Sequence, residues 1–151
     1  MTQNKQFDFN ALSTNQKGVL GAALGMLIGT LLPFIDDDKS FSVWEIFSGD
    51  IGEAPQIAVL GLMVFFGYAA YIFLGTIAFG VLTYLNQFKN GNYHSYARIA
   101  AIIIFINCFI FIWSIGLMTG AADKSVTSAL GLGAYLILAS SAAGIYFSRK
   151  E

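Results

Sequence analysis

The sequence IAVLGLMVFFGYAAYIFLGTIAFGVLTYL, at positions 57–85, decides the fold. It contains no acidic or basic side chain, no histidine and no side-chain amide. A helix crosses the roughly 30 Å of bilayer hydrocarbon with about 20 apolar residues, so this stretch can span a membrane, with its ends among the headgroups or with a tilt. It therefore predicts an integral membrane protein.

The composition supports this prediction. Of the 151 residues, 56% are hydrophobic and 11% are charged, whereas soluble domains carry about 25% charged residues. A net charge of −1 argues against a nucleic-acid partner. The single cysteine, Cys108, and the single histidine, His94, are too few for an intramolecular disulfide or a zinc site. We therefore expect no metal site and no cofactor.

Three further apolar stretches predict spans at about 18–35, 97–119 and 129–147, which with about 57–85 makes four. Residues 1–17 are polar and predict a cytoplasmic tail. The later loops are short, and short loops join helices that are antiparallel neighbours. The predicted fold is therefore all-α: a single domain over residues 1–151, built as a polytopic, antiparallel four-helix transmembrane bundle.

The basic residues predict the orientation, because Lys and Arg concentrate on the cytoplasmic side of a membrane. With both termini inside, the outer loops contain only Lys39 and Lys124. The inner segments contain the remaining basic residues: Lys5, Lys17, Lys89, Arg98, Arg149 and Lys150. We therefore expect a multi-pass protein of a bacterial plasma membrane, with cytoplasmic N- and C-termini and membrane lipid around it.

Small residues predict where the helices pack, because membrane helices associate through close backbone contact. The first span has Gly21, Gly25 and Gly29 at four-residue spacing, and the fourth has Ser140 and Gly144 at the same spacing. Packing between these two ridges within one chain is the favoured interpretation. An interface with a second copy or with a membrane-protein partner is the alternative.

A helical wheel divides the second span into two faces. The face expected to point inward contains Gly61, Tyr68, Gly75, Thr76 and Thr83, with Tyr71 at its edge. The face expected to point to lipid contains Val59, Met63, Phe66, Ala70, Phe73, Ile77 and Val81.

In the third span, Ala100, Asn107 and Ser114 are spaced by heptads and predict an inward stripe. Asn107 is the only amide or charged group deep in a predicted span, so we expect it inside, near Tyr68, Tyr71 or Ser114. A structural hydrogen bond between helices is favoured over a pore-lining or ligand-binding role. Its neighbour Cys108 is expected to be an inert buried thiol.

The first outer loop predicts a short amphipathic helix. Ser42 and Glu45 have the spacing of a capping box, and Phe41 and Ile46 that of a hydrophobic staple. Trp44 and Phe47 would anchor this helix at the membrane interface. It is either a lid over the end of the bundle or a docking surface for a partner.

Two polar features have ordinary interpretations. Asp36, Asp37 and Asp38 match no calcium-loop spacing and predict a solvated charge run, with cation binding as the alternative. His94 is expected to be an interfacial loop residue.

The span sequences exclude several functions. None has a titratable group in its middle, which counts against proton-coupled transport and small multidrug exporters, whose four helices use an embedded Glu. The topology resembles that of MARVEL- and claudin-like proteins, but the claudin pattern W-x-x-W-C-C is missing and only Trp44 stands in the loop. This resemblance implies no site residue. No nucleophile–base pair is visible, so no catalytic residue is expected.

The expected function is therefore a non-enzymatic accessory or scaffold subunit that packs with itself or with a larger membrane complex. One alternative is an oligomeric channel with an uncharged pore lined by Asn107, Ser114, Thr76 and the tyrosines of the spans. Another is an immunity- or regulator-type membrane protein.

Overall fold

The computed structural model describes residues 9–36, 40–48, 58–89, 92–120 and 129–149, and for 58–65 and 118–120 the backbone alone. This part of the chain is mostly helical. After a 3₁₀ turn at Phe9–Ala11, the elements are α1 Thr14–Leu31, β1 Pro33–Asp36, β2 Ser40–Ser42, α2 Val43–Ser48, α3 Ala58–Phe88, α4 His94–Gly120 and α5 Leu132–Phe147.

Two helical stretches are long and apolar enough to cross a membrane: Phe66–Phe88 in α3 and His94–Leu117 in α4. Helix α5 is also apolar but shorter. Both long helices extend beyond the predicted spans, since α3 continues to Phe88 and α4 starts at His94. The predicted loop between them is therefore reduced to a few residues, of which 90 and 91 lie outside the described residues.

Helix α1 starts and ends earlier than the predicted span 18–35. Its start is set by a capping box, in which the Gln16 backbone N–H donates to the Ser13 hydroxyl and the Ser13 N–H donates to Gln16 Oε1. Its end is set by Pro33, because a residue before proline disfavours helical backbone. Leu32 accordingly has extended backbone angles and closes the helix by donating to Ile28 O.

The expectation of an all-α fold is wrong in the segment after α1. Strands β1 and β2 form an antiparallel pair in which Ile35 is opposite Phe41, and Ile35 also bridges to Leu130 just before α5. Phe34 explains the arrangement, because its side chain is fully buried and stacks on Phe111 of α4 with ring centroids 4.7 Å apart. The strand pair thus closes one end of the helices.

Each long helix packs chiefly against two others: α1 against α5 and α3, and α4 against α3 and α5. The contacting residues run in opposite directions along α1 and α5, from Gly18 beside Phe147 to Gly29 beside Ile137. The space between the helices is filled by apolar side chains, the largest being Met26, Phe34, Ile72, Phe79, Ile104, Phe111 and Ile137.

The glycine ridge of α1 only partly coincides with its contact face. Gly25 contacts Ser140, and Gly29 contacts Ile137 and Gly133, whereas a Cβ at Gly21 would meet nothing within 4 Å. Gly18 replaces Gly21, because it lies against the Phe147 ring. The contact face therefore follows a seven-residue and then a four-residue spacing, as expected for a helix crossing a neighbour at a shallow angle.

Helix α4 turns a different face inward from the one predicted. Ala100 is buried, but Asn107 and Ser114 are only half-buried. The buried face is instead formed by Ala97, Ala101, Ile104, Cys108, Phe111 and Ile115, at alternating spacings of four and three. This face packs inward because the small side chain of Ala101 allows Gly144 of α5 to approach closely. A Cβ added at Gly144 would be 3.3 Å from the Ala101 Cβ.

The two faces predicted for α3 agree better with the structure. Thr76 and Thr83 are buried, and Phe66, Ile77 and Val81 are exposed. Phe73 is half-buried because Trp44 and Phe47 of α2 cover it, and Ala70 is also half-buried. The side chains of Val59 and Met63 lie outside the described residues.

Substitution of Gly133 tests the contact between α1 and α5. A Cβ there would lie 2.6 Å from the carbonyl oxygens of Gly29 and Leu32, and backbone atoms cannot swing away. We expect Gly133→Ala to lower the unfolding free energy in detergent by about 1–3 kcal/mol. Gly21→Ala is the matched control and should be neutral or slightly stabilising, because Ala favours helix over Gly. Equal behaviour of the two variants would contradict the close contact between these two helices.

Candidate functional site

A polar pocket of about 280 Å³ lies where α1 and α4 begin and where α3 and α5 end. We call it the end pocket. Its floor includes Val19, Ala97 and Phe147. Its polar lining comes from all four long helices or from residues beside them: Asn15, Gln16, Thr83, Asn86, Gln87, His94, Ser148 and Arg149.

Three side-chain atoms in this lining are buried without a hydrogen-bond partner among the described residues. They are Thr83 Oγ1, Gln87 Oε1 and Ser148 Oγ. Thr83 is 2% exposed and Ser148 is 3% exposed. Leaving a buried polar group unsatisfied costs about 1–3 kcal/mol, so native proteins rarely keep three of them together without something to bind.

The other polar groups of the end pocket are fixed by bonds at the helix ends. The Gln87 amide Nε2 donates to Gln16 O at 3.0 Å, which ties α3 to the first turn of α1. Asn86 Oδ1 accepts from the Tyr93 backbone N–H at 2.6 Å, which holds the segment before α4. Ser148 caps α5 through its own N–H, which donates to Gly144 O. The lining is therefore held by four anchored helix ends.

The charge of the end pocket is positive. Arg149 lines it, with the guanidinium carbon 5.0 Å from the centre of the Tyr146 ring, and His94 supplies a further possible donor. None of its described lining residues is acidic. The partial positive charges of the N-termini of α1 and α4 are balanced by the partial negative charges of the C-termini of α3 and α5, so the positive charge is that of Arg149.

An apolar groove of about 360 Å³ adjoins the end pocket on the side of the molecule. We call it the lateral groove. It runs between α1 and α3, and Thr83 lines both it and the end pocket. Its walls are formed by Leu20, Ala23, Leu24 and Leu27 on α1 and by Thr76, Ile77, Gly80, Val81, Tyr84 and Phe88 on α3.

The residues proposed for an inner polar site are not brought together. Asn107 Nδ2 donates to Ile103 O, and the Ser114 hydroxyl donates to Ile110 O, so both bond within their own helix. The Thr76 hydroxyl likewise donates to Ile72 O. Tyr68 is half-buried against Phe111, and Tyr71 is 62% exposed.

The small residues proposed for packing have varied surroundings. Gly25 and Ser140 contact one another, Gly29 contacts Ile137, and Gly75 contacts Ile104. Gly144 contacts Met26, Phe79 and Ala101. Gly21 is open, and the surroundings of Gly61 lie outside the described residues.

The outer helix α2 has the predicted cap. Glu45 Oε2 accepts from the Ser42 backbone N–H at 2.7 Å and from its hydroxyl at 2.8 Å, and the Glu45 N–H donates back to the hydroxyl. Val43 and Ile46 are buried. The rings of Trp44 and Phe47 lie against Phe73 of α3, with centroids 5.1 and 4.9 Å away. Trp44 remains 44% exposed.

The acidic run has one described member. Asp36 ends β1 and accepts a hydrogen bond from Ser40, while Asp37 and Asp38 lie outside the described residues. Within the described ranges, no three His, Cys, Asp or Glu side chains come together as metal ligands. Cys108 is fully buried in α4.

The end pocket was not predicted from the sequence, although Thr83 was expected on the inward face and His94 at an interface. The sequence does show Asn, Gln, Ser or His within one helical turn of the predicted cytoplasmic end of every span. That signal shows polar residues at a membrane surface but not their convergence on one cavity. No protein-family model, curated protein or solved structure matches the chain.

Replacement of Asn107 tests whether its side-chain amide forms a hydrogen bond to another helix or within α4. Because its amide bonds within α4, we expect Asn107→Leu to change the unfolding free energy by less than about 0.6 kcal/mol, the mean for interhelical bonds. Ile104→Ala, at a fully buried position, should lower it by about 2 kcal/mol or more. Thermal unfolding in detergent measures both. A large loss for Asn107→Leu would show that the amide bonds a neighbouring helix.

Acid titration tests the cap of α2. The two hydrogen bonds from Ser42 lower the pKa of Glu45, so the cap stabilises α2 above the ordinary carboxyl range and is lost as pH falls through the lowered value. In a Trp113→Phe background, Trp44 fluorescence should therefore change with a midpoint below the ordinary pKa range of a glutamate carboxyl.

Two variants control this titration. Ser42→Ala should move the midpoint upward only part of the way, because the backbone N–H still donates, and Glu45→Gln should abolish the transition. An unchanged midpoint in Ser42→Ala would show that the hydroxyl does not act on Glu45.

Proposed function

We propose that the chain is a four-span integral membrane protein that serves as a non-enzymatic accessory or scaffold subunit. The observation that carries this proposal is the outward face of α3 and α4. In an 18-residue apolar window of each candidate span, only 28% and 33% of the residues are buried. Large side chains such as Phe109, Trp113 and Leu117 are more than half exposed. An apolar surface of this size needs lipid or a partner to cover it.

Helices α1 and α5 are proposed as the other two spans. Helices α1 and α5 pack lengthwise against each other, and each also contacts one of the two candidate spans, α3 or α4. They also present apolar side chains outward, including Leu24, Leu31, Leu132 and Tyr135. At about 1.5 Å per residue they are shorter than the hydrocarbon core, and the strand pair extends α1 beyond its last turn. Such a pair can be accommodated by local thinning of the bilayer.

The proposed orientation puts the end pocket in the cytoplasm. Lys17, Lys89, Arg98 and Arg149 all belong to helix termini at that end, whereas α2 and the strand pair are at the other. This distribution agrees with the cytoplasmic preference of basic residues.

The packed interior favours a subunit over a channel. Phe34, Phe79 and Phe111 are fully buried between the helices and fill the path that a pore through one chain would take. The exposed part of Trp44 and the open surface at Gly21 offer contact area for a second copy or a larger membrane complex.

Four measurements test this proposal. We expect the protein to stay in the membrane after carbonate washing. In a Cys108→Ala background, Ser48→Cys should be labelled from outside and Lys89→Cys from inside. Gentle detergent extraction followed by crosslinking should recover a homo-oligomer or a complex with another membrane protein, and proteoliposomes should be impermeable to small solutes.

Each measurement has a distinct contrary result. Release by carbonate would overturn the membrane location, and labelling of both cysteines from one side would overturn the topology. A strict monomer without any copurifying protein would overturn the subunit role, and solute flux would favour the channel.

A further inference from the structure

The end pocket contains groups that have been desolvated without being bonded. The Thr83 and Ser148 hydroxyls and the Gln87 amide oxygen belong to residues that line it, and no described residue satisfies them. Arg149 and His94 line the same cavity, and no acidic side chain is among its described lining residues. Hydroxyl donors beside a guanidinium are the groups that bind a phosphate oxygen, and Gln87 Oε1 can accept from a ligand hydroxyl.

The lateral groove supplies a second, apolar compartment beside the first. Thr83 belongs to both linings, so the two compartments meet at this residue. The α3 residues of the groove extend from Thr76 to Phe88. At about 1.5 Å per residue this is roughly 18 Å along the helix, comparable with one leaflet's share of the hydrocarbon.

We propose that the end pocket and the lateral groove together bind one phospholipid, with its phosphate headgroup in the pocket and an acyl chain along the groove. A soluble phosphate compound would explain the polar groups but leave the adjoining groove without a role. An isolated acyl chain would explain the groove but leave Thr83 and Ser148 unbonded. The positive lining further favours an anionic headgroup over a zwitterionic one. The inference rests on the membrane location proposed above.

Binding is tested on delipidated full-length protein in mild detergent, by native mass spectrometry and by the thermal shift. The probes are phosphatidylglycerol, phosphatidylcholine, diacylglycerol and inorganic phosphate. Phosphatidylglycerol should bind best. Its affinity should be about fivefold higher than that of phosphatidylcholine, because the Arg149 charge attracts a headgroup with a net negative charge. Diacylglycerol and inorganic phosphate, which each lack one half of the ligand, should bind at least about tenfold more weakly.

Matched variants separate the two compartments. Gly80 lines the groove, and a Cβ there would meet nothing within 4 Å, so Gly80→Leu places a side chain in the groove without a clash. Gly67→Leu adds the same side chain to the same helix at another open position outside the groove. We expect Gly80→Leu to weaken phosphatidylglycerol binding about tenfold and Gly67→Leu to leave it unchanged.

In the end pocket, Arg149→Gln should weaken phosphatidylglycerol binding about tenfold, as loss of a charged hydrogen bond predicts. Lys89→Gln, which removes an exposed charge at the same end outside the lining, should have less than a twofold effect.

Thr83→Val gives the most specific result. Because it removes a buried hydroxyl that lacks a partner, it should raise the unfolding temperature of the lipid-free protein and lower the affinity for phosphatidylglycerol. A hydroxyl that only holds structural water would give a less stable variant with unchanged affinity, which would overturn the assignment of Thr83.

The site and the membrane location fail in different ways. Two results would overturn the lipid site alone, provided that the protein resists carbonate. One is phosphatidylglycerol binding no tighter than diacylglycerol binding, and the other is unchanged phosphatidylglycerol affinity in both Gly80→Leu and Arg149→Gln. Inorganic phosphate binding as tightly as phosphatidylglycerol would overturn it in favour of a soluble ligand. Release by carbonate would instead overturn the membrane proposal.

Discussion

The close approach of α1 and α5 is the constraint on which the rest of the structure depends. Gly29 and Gly133 face each other so closely that an added Cβ at Gly133 would meet the carbonyl oxygens of Gly29, Leu32 and Pro33. In lipid, burial of apolar side chains contributes little between helices, so this backbone contact has to be made by van der Waals packing. It also fixes the strand pair, because the Gly131 N–H donates to Phe34 O and Ile35 bridges to Leu130. The end of the molecule that carries Phe34 is thereby closed.

Much of the helical structure could be predicted from the sequence, and the errors have physical causes. The apolar run at 57–85 and the capping box of α2 depend on spacing within a few residues, which a sequence shows directly. The inward face of α4 depends on which residues its neighbours present. Asn107 suggested one face by its polarity, but its amide bonds to Ile103 O within α4, and the face that packs is the one on which Ala101 meets Gly144.

The end pocket was beyond sequence reasoning for a related reason. Its lining residues are distributed over four helix ends, from Asn15 to Arg149, and their polarity is what any membrane surface requires. Only the fold shows that the Thr83 and Ser148 hydroxyls are buried without partners, at 2% and 3% exposure. A groove between helices cannot be predicted from a single sequence either, because it depends on the space that remains between neighbouring helices after they pack.

The four helix contacts differ in a way that explains where that groove forms. Three of them press a glycine against a neighbour: Gly29 against Ile137, Gly75 against Ile104 and Gly144 against Ala101. Between α1 and α3, Gly80 does the opposite, since it lines the lateral groove and has open space where a Cβ would be. Glycines that receive no neighbour leave room beside a helix at some cost in helix propensity. The three tight contacts hold the helices in place, so one side of the fourth can stay open as the lateral groove, and in the proposed membrane location lipid is the material available to fill it.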